Sequence, residues 1–283
     1  FAAQSTVALI ATGTTYFYKI DSGGTASVIT GGTAVTTGQR WEWCEAPVVA
    51  AKGPFYGVNG LTGESKYWTG SGNVADWTPT TGSLPTTPKY ILYHKNRVII
   101  AGGFTVASSD ISNPDNWSTA APSAGWTQNF DSSDGDTITG LGVFGDYILV
   151  FKKTKIWVIY DPETGSNRSV SRSIGCVAHR SIVQTSVGTF FLTLDQGVAK
   201  YNGNSIDLIS TQVDDTFDGI LQTQNSLASA AFWNDHYYIS ICESGTANTI
   251  TLDYDITLKS WWLHSNVSHK WVVWRPTGAA ELY

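Results

Sequence analysis

The sequence predicts an all-β fold made of repeated four-stranded antiparallel sheets, and three observations lead to this prediction. Charged residues are only 14% of the 283 residues, aromatic residues are 13%, and glycines number 28. This composition disfavours disorder and long amphipathic helices. Apolar runs alternate with short polar turns, a pattern typical of β-hairpins. The hairpins recur at intervals of about 45 residues, so one structural unit is repeated along the chain.

The first hairpin of each repeat is an apolar run, a polar turn of two to four residues and a second alternating run. The clearest copies are residues 91–103, 141–153, 182–195 and 230–243, and the weaker ones are 46–60 and 271–283. Their turn centres are expected near Gly53, Asn96, Asp146, Gly188, Asp235 and Gly278. Each segment therefore predicts two paired strands.

A second hairpin follows in most repeats, where a tyrosine precedes turn residues. The tyrosines are Tyr67, Tyr160, Tyr201 and Tyr254. In the copy whose first turn is near Asn96, Ser109–Asp110 takes the place of the aromatic residue. Four strands in 40 to 50 residues form the blade of a β-propeller, in which radial stacking buries both faces of most sheets.

The two ends of the chain suggest how the ring closes. The repeat around Gly13 is expected to lack its innermost hairpin, so we expect residues 269–276 to supply an inner strand to the blade begun by residues 5–35. This pairing of N- and C-terminal strands gives six blades, with seven as the alternative, and leaves no long exposed edges. Residues 1–283 are expected to form one propeller domain. Because the chain begins with Phe1 and contains no methionine, we expect it to be part of a longer polypeptide.

Helical periodicity is confined to one stretch. Val213, Phe217, Ile220 and Leu221 recur at helical spacing after Asp214–Asp215, which predicts one short helix. Residues 79–88 and 118–136 resemble loops that protrude from the ring.

The sequence offers few residues for catalysis, and we predict no catalytic, cofactor-binding or metal-binding residues. Asp131, Asp134 and Asp136 would suit a hard cation, but the interpretation we favour is an Asp/Gly-rich turn. Residues 140–145 have the G-x-G-x-x-G spacing of dinucleotide-binding loops. A strand, rather than the required helix, is expected to follow them, so these glycines are interpreted as packing residues.

The histidines, cysteines and tryptophans are widely scattered. His94, His179, His236, His264 and His269 lie in different repeats, so a catalytic triad would have to be assembled in space, and ordinary strand or turn positions are favoured. Cys44, Cys176 and Cys242 are expected to be buried free thiols. Most of the 12 tryptophans are expected to fill space between blades, although exposed ones could stack on sugars.

Several segments resemble one known protein family. They are Val58–Gly60 with Tyr67–Gly70, Ser109–Asp110 with Asn113–Trp117, Asp134–Asp136 with Val150–Lys153, Gly175–Ile182, and Phe190–Leu192 with Tyr201–Gly203. In this order they are similar to segments of the β-propeller-bearing nozzle or hub proteins (also called stabilisation proteins) of bacteriophage tails. The resemblance covers about residues 39–265.

The resemblance implies a structural virion protein without enzymatic activity. Such a protein would form a homo-oligomeric ring, with a hexamer as one candidate, around the channel for genome ejection. It would contact adaptor or portal-proximal proteins and tail fibres while double-stranded DNA passes without specific binding. The net charge of −6 agrees with that passage, because phosphate pairing needs basic clusters.

Two other functions remain open at this stage. One is a carbohydrate-binding propeller, either lectin-like or receptor-binding, which would repeat an exposed aromatic residue in every blade. The other is a glycoside hydrolase of propeller fold, which would need a pair of carboxylates. No apolar run approaches 18 residues, so we predict no membrane span.

Overall fold

The computed structural model describes residues 2–3, 8–12, 16–21, 25–29, 39–265, 271, 273–274 and 281–282. By internal packing the chain divides into two compact units. Unit 1 comprises residues 1–137, 161–166 and 274–280, and unit 2 comprises residues 138–160, 167–273 and 281–283.

Unit 1 contains four-stranded antiparallel sheets and a parallel pair of strands. Its N-terminal sheet has the strands β1 (Ala2–Ala3), β2 (Ala8–Thr12), β3 (Phe17–Asp21) and β4 (Ala26–Val28). The next sheet has the strands β5 (Glu42–Glu45), β6 (Phe55–Val58), β7 (Lys66–Trp68) and β8 (Ala75–Asp76). After β9 (Thr81–Gly82) come β10 (Tyr90–His94), β11 (Arg97–Gly102), β12 (Thr105–Ser108), β13 (Asn116–Trp117) and β14 (Trp126–Asn129). Strands β10, β11, β12 and β14 form one sheet, and β9 pairs with β13 in parallel.

Three further four-stranded sheets follow along the chain. The first has β15 (Gly140–Phe144), β16 (Tyr147–Phe151), β17 (Ile156–Asp161) and β18 (Ser166–Ser171). The second has β19 (Val183–Thr185), β20 (Gly188–Leu192), β21 (Val198–Tyr201) and β22 (Ile206–Leu208). The third has β23 (Ser229–Trp233), β24 (His236–Ile241), β25 (Ile250–Asp255) and β26 (Ser260–Ser265). A hairpin of β27 (Val273–Trp274) and β28 (Glu281–Leu282) ends the chain.

Helical structure is sparse, as the sequence predicts. Helix α1 (Asp214–Asp218) lies in the stretch predicted to be helical, and its buried Phe217 packs against Trp261. Short 3₁₀ segments occur at Ser132–Asp134, His179–Ser181, Thr211–Val213 and Gln222–Leu227. Within the described ranges, no helix is both long enough and apolar enough to cross a membrane.

The predicted blade architecture is confirmed, but the predicted blade number is wrong. Five blades, each a four-stranded antiparallel sheet, occupy Glu42–Ser265, rather than six or seven. The N-terminal sheet of strands β1 to β4 is not one of these five blades. Its strands have two to five residues, and every described side chain of β4 is exposed.

The predicted closure by N- and C-terminal strands is also wrong. The prediction assumed that the first repeat lacks inner strands, but that sheet draws all four of its strands from residues 2–28. The described part of the expected closing segment, Val273–Trp274, pairs instead with Glu281–Leu282. Residues 269–270 and Gly278 lie outside the described residues.

The blade interiors are packed with apolar side chains, as the alternating runs require. All six residues of β11 and all five of β20 are buried. Among the described residues, six tryptophans are buried and fill space in the core: Trp41, Trp43, Trp68, Trp77, Trp117 and Trp126. Trp41 and Trp43 stack with ring centroids 5.7 Å apart.

Two local predictions need correction. The first concerns the hairpin of residues 46–60, whose turn was expected at Gly53. The turn is made instead by Ala50 (φ 51°) and Ala51 (φ 61°). Both have a left-handed backbone and lie between Val49 and Lys52, which pair in an isolated antiparallel bridge. The second concerns residues 118–136, expected to be a loop, which supply β14, because Trp126 is buried and donates its indole N–H to the Pro162 carbonyl at 2.8 Å.

Candidate functional site

Two of the scattered histidines lie together on the last blade. His236 begins β24, and His264 lies near the end of β26. Both face Asp253 of the intervening strand β25. His236 Nδ1 lies 2.7 Å from Asp253 Oδ1, and His264 Nε2 lies 3.7 Å from Asp253 Oδ2. The other nitrogen of His236, Nε2, lies 3.8 Å from Asp255 Oδ2.

Strand register explains why these residues meet. His236 is paired with Asp255, Tyr238 with Asp253, and Thr251 with His264. Residues directly opposite each other in an antiparallel sheet share one face, and so do alternate residues along a strand. We call the side formed by His236, Tyr238, Asp253, Asp255, Trp262 and His264 the aromatic face.

A row of rings crosses the aromatic face. The His236 ring lies 6.1 Å from Trp262 and 5.8 Å from Tyr238, onto which it stacks with an interplanar angle of 17°. Tyr238 in turn lies 5.5 Å from Trp271, whose indole N–H donates to Ser240 Oγ at 3.0 Å. The row therefore runs from the half-exposed Trp262 to the anchored Trp271.

The aromatic face combines hydrogen-bond donors and acceptors at a partly exposed surface. Trp262 is 42% exposed, and the His264 side chain is 49% exposed. The Asp253 side chain, at 11%, lies deeper. Burial, and secondarily the Asp253 carboxylate, raise the pKa of Tyr238, so its phenol keeps its proton at neutral pH. This surface can thus bind a ligand that has both apolar and polar groups.

The other histidines do not belong to this face. His94 ends β10, and His179 lies in a 3₁₀ segment where its Nδ1 accepts a long hydrogen bond of 3.4 Å from the Leu141 backbone N–H. These are the strand and turn positions predicted for them. His269 lies outside the described residues.

The three aspartates proposed as a cation alternative lie in an exposed turn. Asp131 has a left-handed backbone (φ 36°) and accepts a hydrogen bond from Ser133 Oγ at 2.6 Å. Asp134 Oδ1 accepts one from the Asp136 backbone N–H at 3.0 Å. In the part of the chain that the structure describes, no three His, Cys, Asp or Glu side chains are grouped to hold a metal.

The glycine-rich segment 140–145 has a packing role. Gly140 and Gly142 lie in β15, where an added Cβ atom would come within 2.5 Å of the Ile182 side chain. Strand β16, and not a helix, follows them. The interpretation as packing glycines is confirmed, because dinucleotide binding needs a helix N-terminus at this point.

The three cysteines and Lys152 are buried rather than presented to ligands. Cys44, Cys176 and Cys242 are free and buried, as predicted. Burial raises the pKa of Cys176 to about 12, which leaves little thiolate. Lys152 is also buried, and its ammonium lies 5.6 Å from the centroid of the Trp157 ring.

The aromatic face was missed at the level of sequence, although part of its signal was visible. Trp261 and Trp262 are neighbours in strand β26, so their side chains point to opposite faces of the sheet. The Trp261 indole N–H donates to the Ile209 carbonyl at 2.7 Å, whereas Trp262 is exposed. Placing Asp253 beside both His236 and His264 needed the register of the three strands β24, β25 and β26, which can be predicted only when the turns between them are located.

The comparisons with known proteins support the fold alone. No family model matches the chain, and no curated protein matches it. Among solved structures, AztD of Citrobacter koseri matches with a TM-score of 0.52 and 9% identity over 95% of this chain and 71% of AztD. The four-stranded blades described above, together with this structural similarity, identify the fold. The chain is a β-propeller.

Two other solved structures match with similarly low sequence identity. The computationally designed protein Ika8 matches with a TM-score of 0.51 and 13% identity over 94% of this chain and 76% of Ika8. PorZ of Porphyromonas gingivalis, an essential bacterial surface component of the type-IX secretion system, has a TM-score of 0.51 and 12% identity. The match covers 94% of this chain but only 33% of PorZ.

Proposed function

We propose that the chain is a structural protein of a bacteriophage tail, of the nozzle or hub type, without enzymatic activity. One observation carries the proposal. Two of the segments that resemble this family, Asn113–Trp117 and Gly175–Ile182, lie at joints between blades, where hydrogen bonds of buried residues hold them. The resemblance therefore involves residues that determine how blades are joined, and not only residues that any sheet would share.

The first of these joints centres on Asp115, in the segment Asn113–Trp117. Asp115 is buried and accepts a hydrogen bond from Lys52 Nζ at 2.7 Å, in the hairpin between β5 and β6. Its other oxygen accepts a hydrogen bond from Thr80 Oγ1. Lys52 Nζ also donates to the Thr78 carbonyl at 2.6 Å. One carboxylate thus links two blades of unit 1.

The second joint is the segment Gly175–Ile182, which contacts three blades of unit 2. The Cys176 backbone N–H donates to the Lys152 carbonyl at 2.8 Å, next to β16. Ser181 Oγ accepts a hydrogen bond from the Leu192 N–H of β20 at 2.9 Å. The Ser181 carbonyl accepts one from the Tyr237 hydroxyl of β24 at 2.9 Å.

Such joints suit a protein that keeps its shape under mechanical load. Buried and paired polar groups are costly to separate, so adjacent blades resist sliding over one another. In the proposed role the protein forms a ring of identical copies, with a hexamer as the first copy number to test. The ring would contact adaptor or portal-proximal proteins and tail fibres, and it would belong to the virion.

The charge of the chain agrees with a wall along which DNA moves. With 23 acidic and 17 basic residues, the net charge of −6 disfavours the phosphate contacts that hold a protein on DNA. We therefore expect no retention of double-stranded DNA in a mobility-shift assay at 0.15 M salt below about 10⁻⁴ M protein, the weak end of non-specific binding.

The test of the tail role is the location of the protein in virions. Phage particles carrying the gene are purified, digested and analysed by mass spectrometry, and antibodies against the chain are located on them by gold labelling. We expect the protein in the particles and the label at the tail tip. A protein found only in the lysed host, and never in purified particles, would remove the proposal.

One observation favours a second candidate function, carbohydrate binding. The exposed Trp262 lies in the aromatic face beside carboxylate and imidazole groups. The lectin considered from the sequence would repeat such a residue in each blade. Among the described tryptophans, Trp262 is the one exposed to this extent, so the observation favours a single site rather than a repeated one.

A further inference from the structure

We propose that the aromatic face is a binding site for one pyranose ring of a carbohydrate. In this site Trp262 stacks on the apolar side of the sugar, and Asp253, His236 and His264 bind its hydroxyl groups. The inference is independent of the tail role, since an isolated propeller could carry the same site.

The argument begins with the exposure of Trp262. Its neighbour Trp261 points toward the core and packs with Tyr254 and Phe217, so the chain partly buries one indole and leaves the next one open. Aromatic rings have a negative face, which attracts the partly positive C–H groups on one side of a pyranose ring. An exposed ring beside polar groups also matches the usual make-up of a ligand site, with an apolar surface and a few placed polar groups.

The polar groups select the class of ligand. A carboxylate accepts hydrogen bonds, and a neutral imidazole both donates and accepts them. A sugar hydroxyl also does both, so it can be satisfied by Asp253 together with either histidine. A cationic ligand could use the carboxylates and the ring faces as well. However, such a ligand accepts no hydrogen bond from an imidazole N–H, whereas a sugar hydroxyl does, so the two histidines favour a sugar over a cation.

The site is largely assembled before a ligand arrives. Asp253 is oriented by the 2.7 Å contact with His236, and the His236 ring is stacked on Tyr238. Trp271 also contacts the Tyr238 ring and is held by its hydrogen bond to Ser240. Side chains already ordered in this way lose little conformational freedom on binding, which favours even a small ligand.

The test uses the purified chain and the methyl glycosides of glucose, galactose, mannose and N-acetylglucosamine. Saturation-transfer NMR identifies which of them binds, and titration of tryptophan fluorescence gives its dissociation constant. For a single shallow subsite we expect a dissociation constant of about 1 mM.

Three variants locate the binding. Trp262→Ala should weaken binding of the best glycoside by about tenfold or more, and Trp262→Phe, which keeps a ring, should weaken it less. Asp253→Asn should also weaken it by about tenfold. Leu263→Ala is the matched control, because Leu263 is 53% exposed on the same strand but on the opposite face. This variant should bind the glycoside with unchanged affinity.

Circular dichroism melting separates lost binding from lost folding. If Asp253→Asn melts early, the assignment rests on the exposed Trp262 variants. The proposal is overturned if none of the four glycosides binds at about 20 mM, well above the expected constant. It is equally overturned if Trp262→Ala binds as tightly as the parent, or if choline or arginine methyl ester binds at Trp262 while the glycosides do not. The tail role stands or falls separately, on the virion measurement.

Discussion

The two faces of the β23–β26 sheet differ in almost every property, although they alternate along the same strands. One face carries Tyr237, Ile239 and Leu252, which are fully buried in the core of unit 2. The other is the aromatic face, where Trp262 and His264 are about half exposed. Neighbouring residues in the sequence thus lie in an apolar interior and at a polar surface.

This difference separates stability from binding within one blade. Burial of the core face contributes to the free energy of unfolding, because apolar area is removed from water. Partly exposed polar groups contribute much less to it. We therefore expect substitutions on the core face to change stability, and substitutions on the aromatic face to change binding with little change in stability.

The largest effect should come from Leu252→Ala on the core face. Leu252 is fully buried, so the substitution leaves a cavity and should lower the free energy of unfolding by about 2–5 kcal/mol. Urea denaturation measures the loss. Its cross-strand partner Leu263 is 53% exposed, and Leu263→Ala should cost less than about 1 kcal/mol. Equal losses at both positions would contradict the comparison.

A smaller effect is expected from Tyr237→Phe, which removes only one oxygen. The hydroxyl donates to the Ser181 carbonyl at 2.9 Å inside the core, and its loss should cost about 1–3 kcal/mol. Tyr238→Phe, one residue further along on the aromatic face, should change stability by less than about 0.5 kcal/mol. Thermal melting of both variants checks this, and a Tyr238 variant that melts as early as Tyr237→Phe would refute it.

Alkaline pH should destabilise the protein through its core side. Burial raises the pKa of Tyr237 well above its ordinary value of 10.0, and that of Cys176 from 9.0 to about 12. The folded state keeps both groups neutral, whereas the unfolded chain ionises them. Their contribution to stability is complete below pH 9 and is lost as the pH rises toward the folded-state values, by up to about 1.4 kcal/mol per pH unit for each group.

Urea titrations between pH 8 and pH 11 measure that slope. Cys176→Ala should reduce the slope between pH 9 and 10, where Cys176 begins to contribute, and Tyr237→Phe should reduce it above pH 10. A free energy of unfolding that stays constant up to pH 11 would show that these groups are not buried as described.

The smallest effect on stability should come from His264→Ala. Its side chain is 49% exposed and its nitrogen lies 3.7 Å from Asp253, so the contact is worth about 0.5 kcal/mol or less. Thermal melting should hardly change. A loss above about 2 kcal/mol would mean that the aromatic face stabilises the fold as the core face does.

Much of the fold was predictable because strand pairing is local. The runs 91–103, 141–153, 182–195 and 230–243 each contain two alternating strands and their turn, and each forms the expected hairpin. The blade number was not predictable in this way. Strands β1 and β4 have only two and three residues, too few for a recognisable alternation, so the first sheet looked incomplete.

The candidate site was less predictable than the fold because it depends on pairing over distance. His236 and Asp253 are 17 residues apart, and they meet only because the turn between β24 and β25 sets the register. The adjacent residues Trp261 and Trp262 gave a partial signal, because neighbouring side chains in a strand point to opposite faces of the sheet. The tail role itself stays a prediction, because the segments that resemble tail proteins are structural and carry no chemistry of their own.

The burial of the three thiols has a consequence for ageing of the protein. The chain of 283 residues contains no methionine, and Cys44, Cys176 and Cys242 are all shielded by the blades. Sulfenic acids and mixed disulfides form at accessible thiolates. Peroxide should therefore reach the sulfur atoms of this chain only when a blade opens, so that sulfur oxidation records past unfolding.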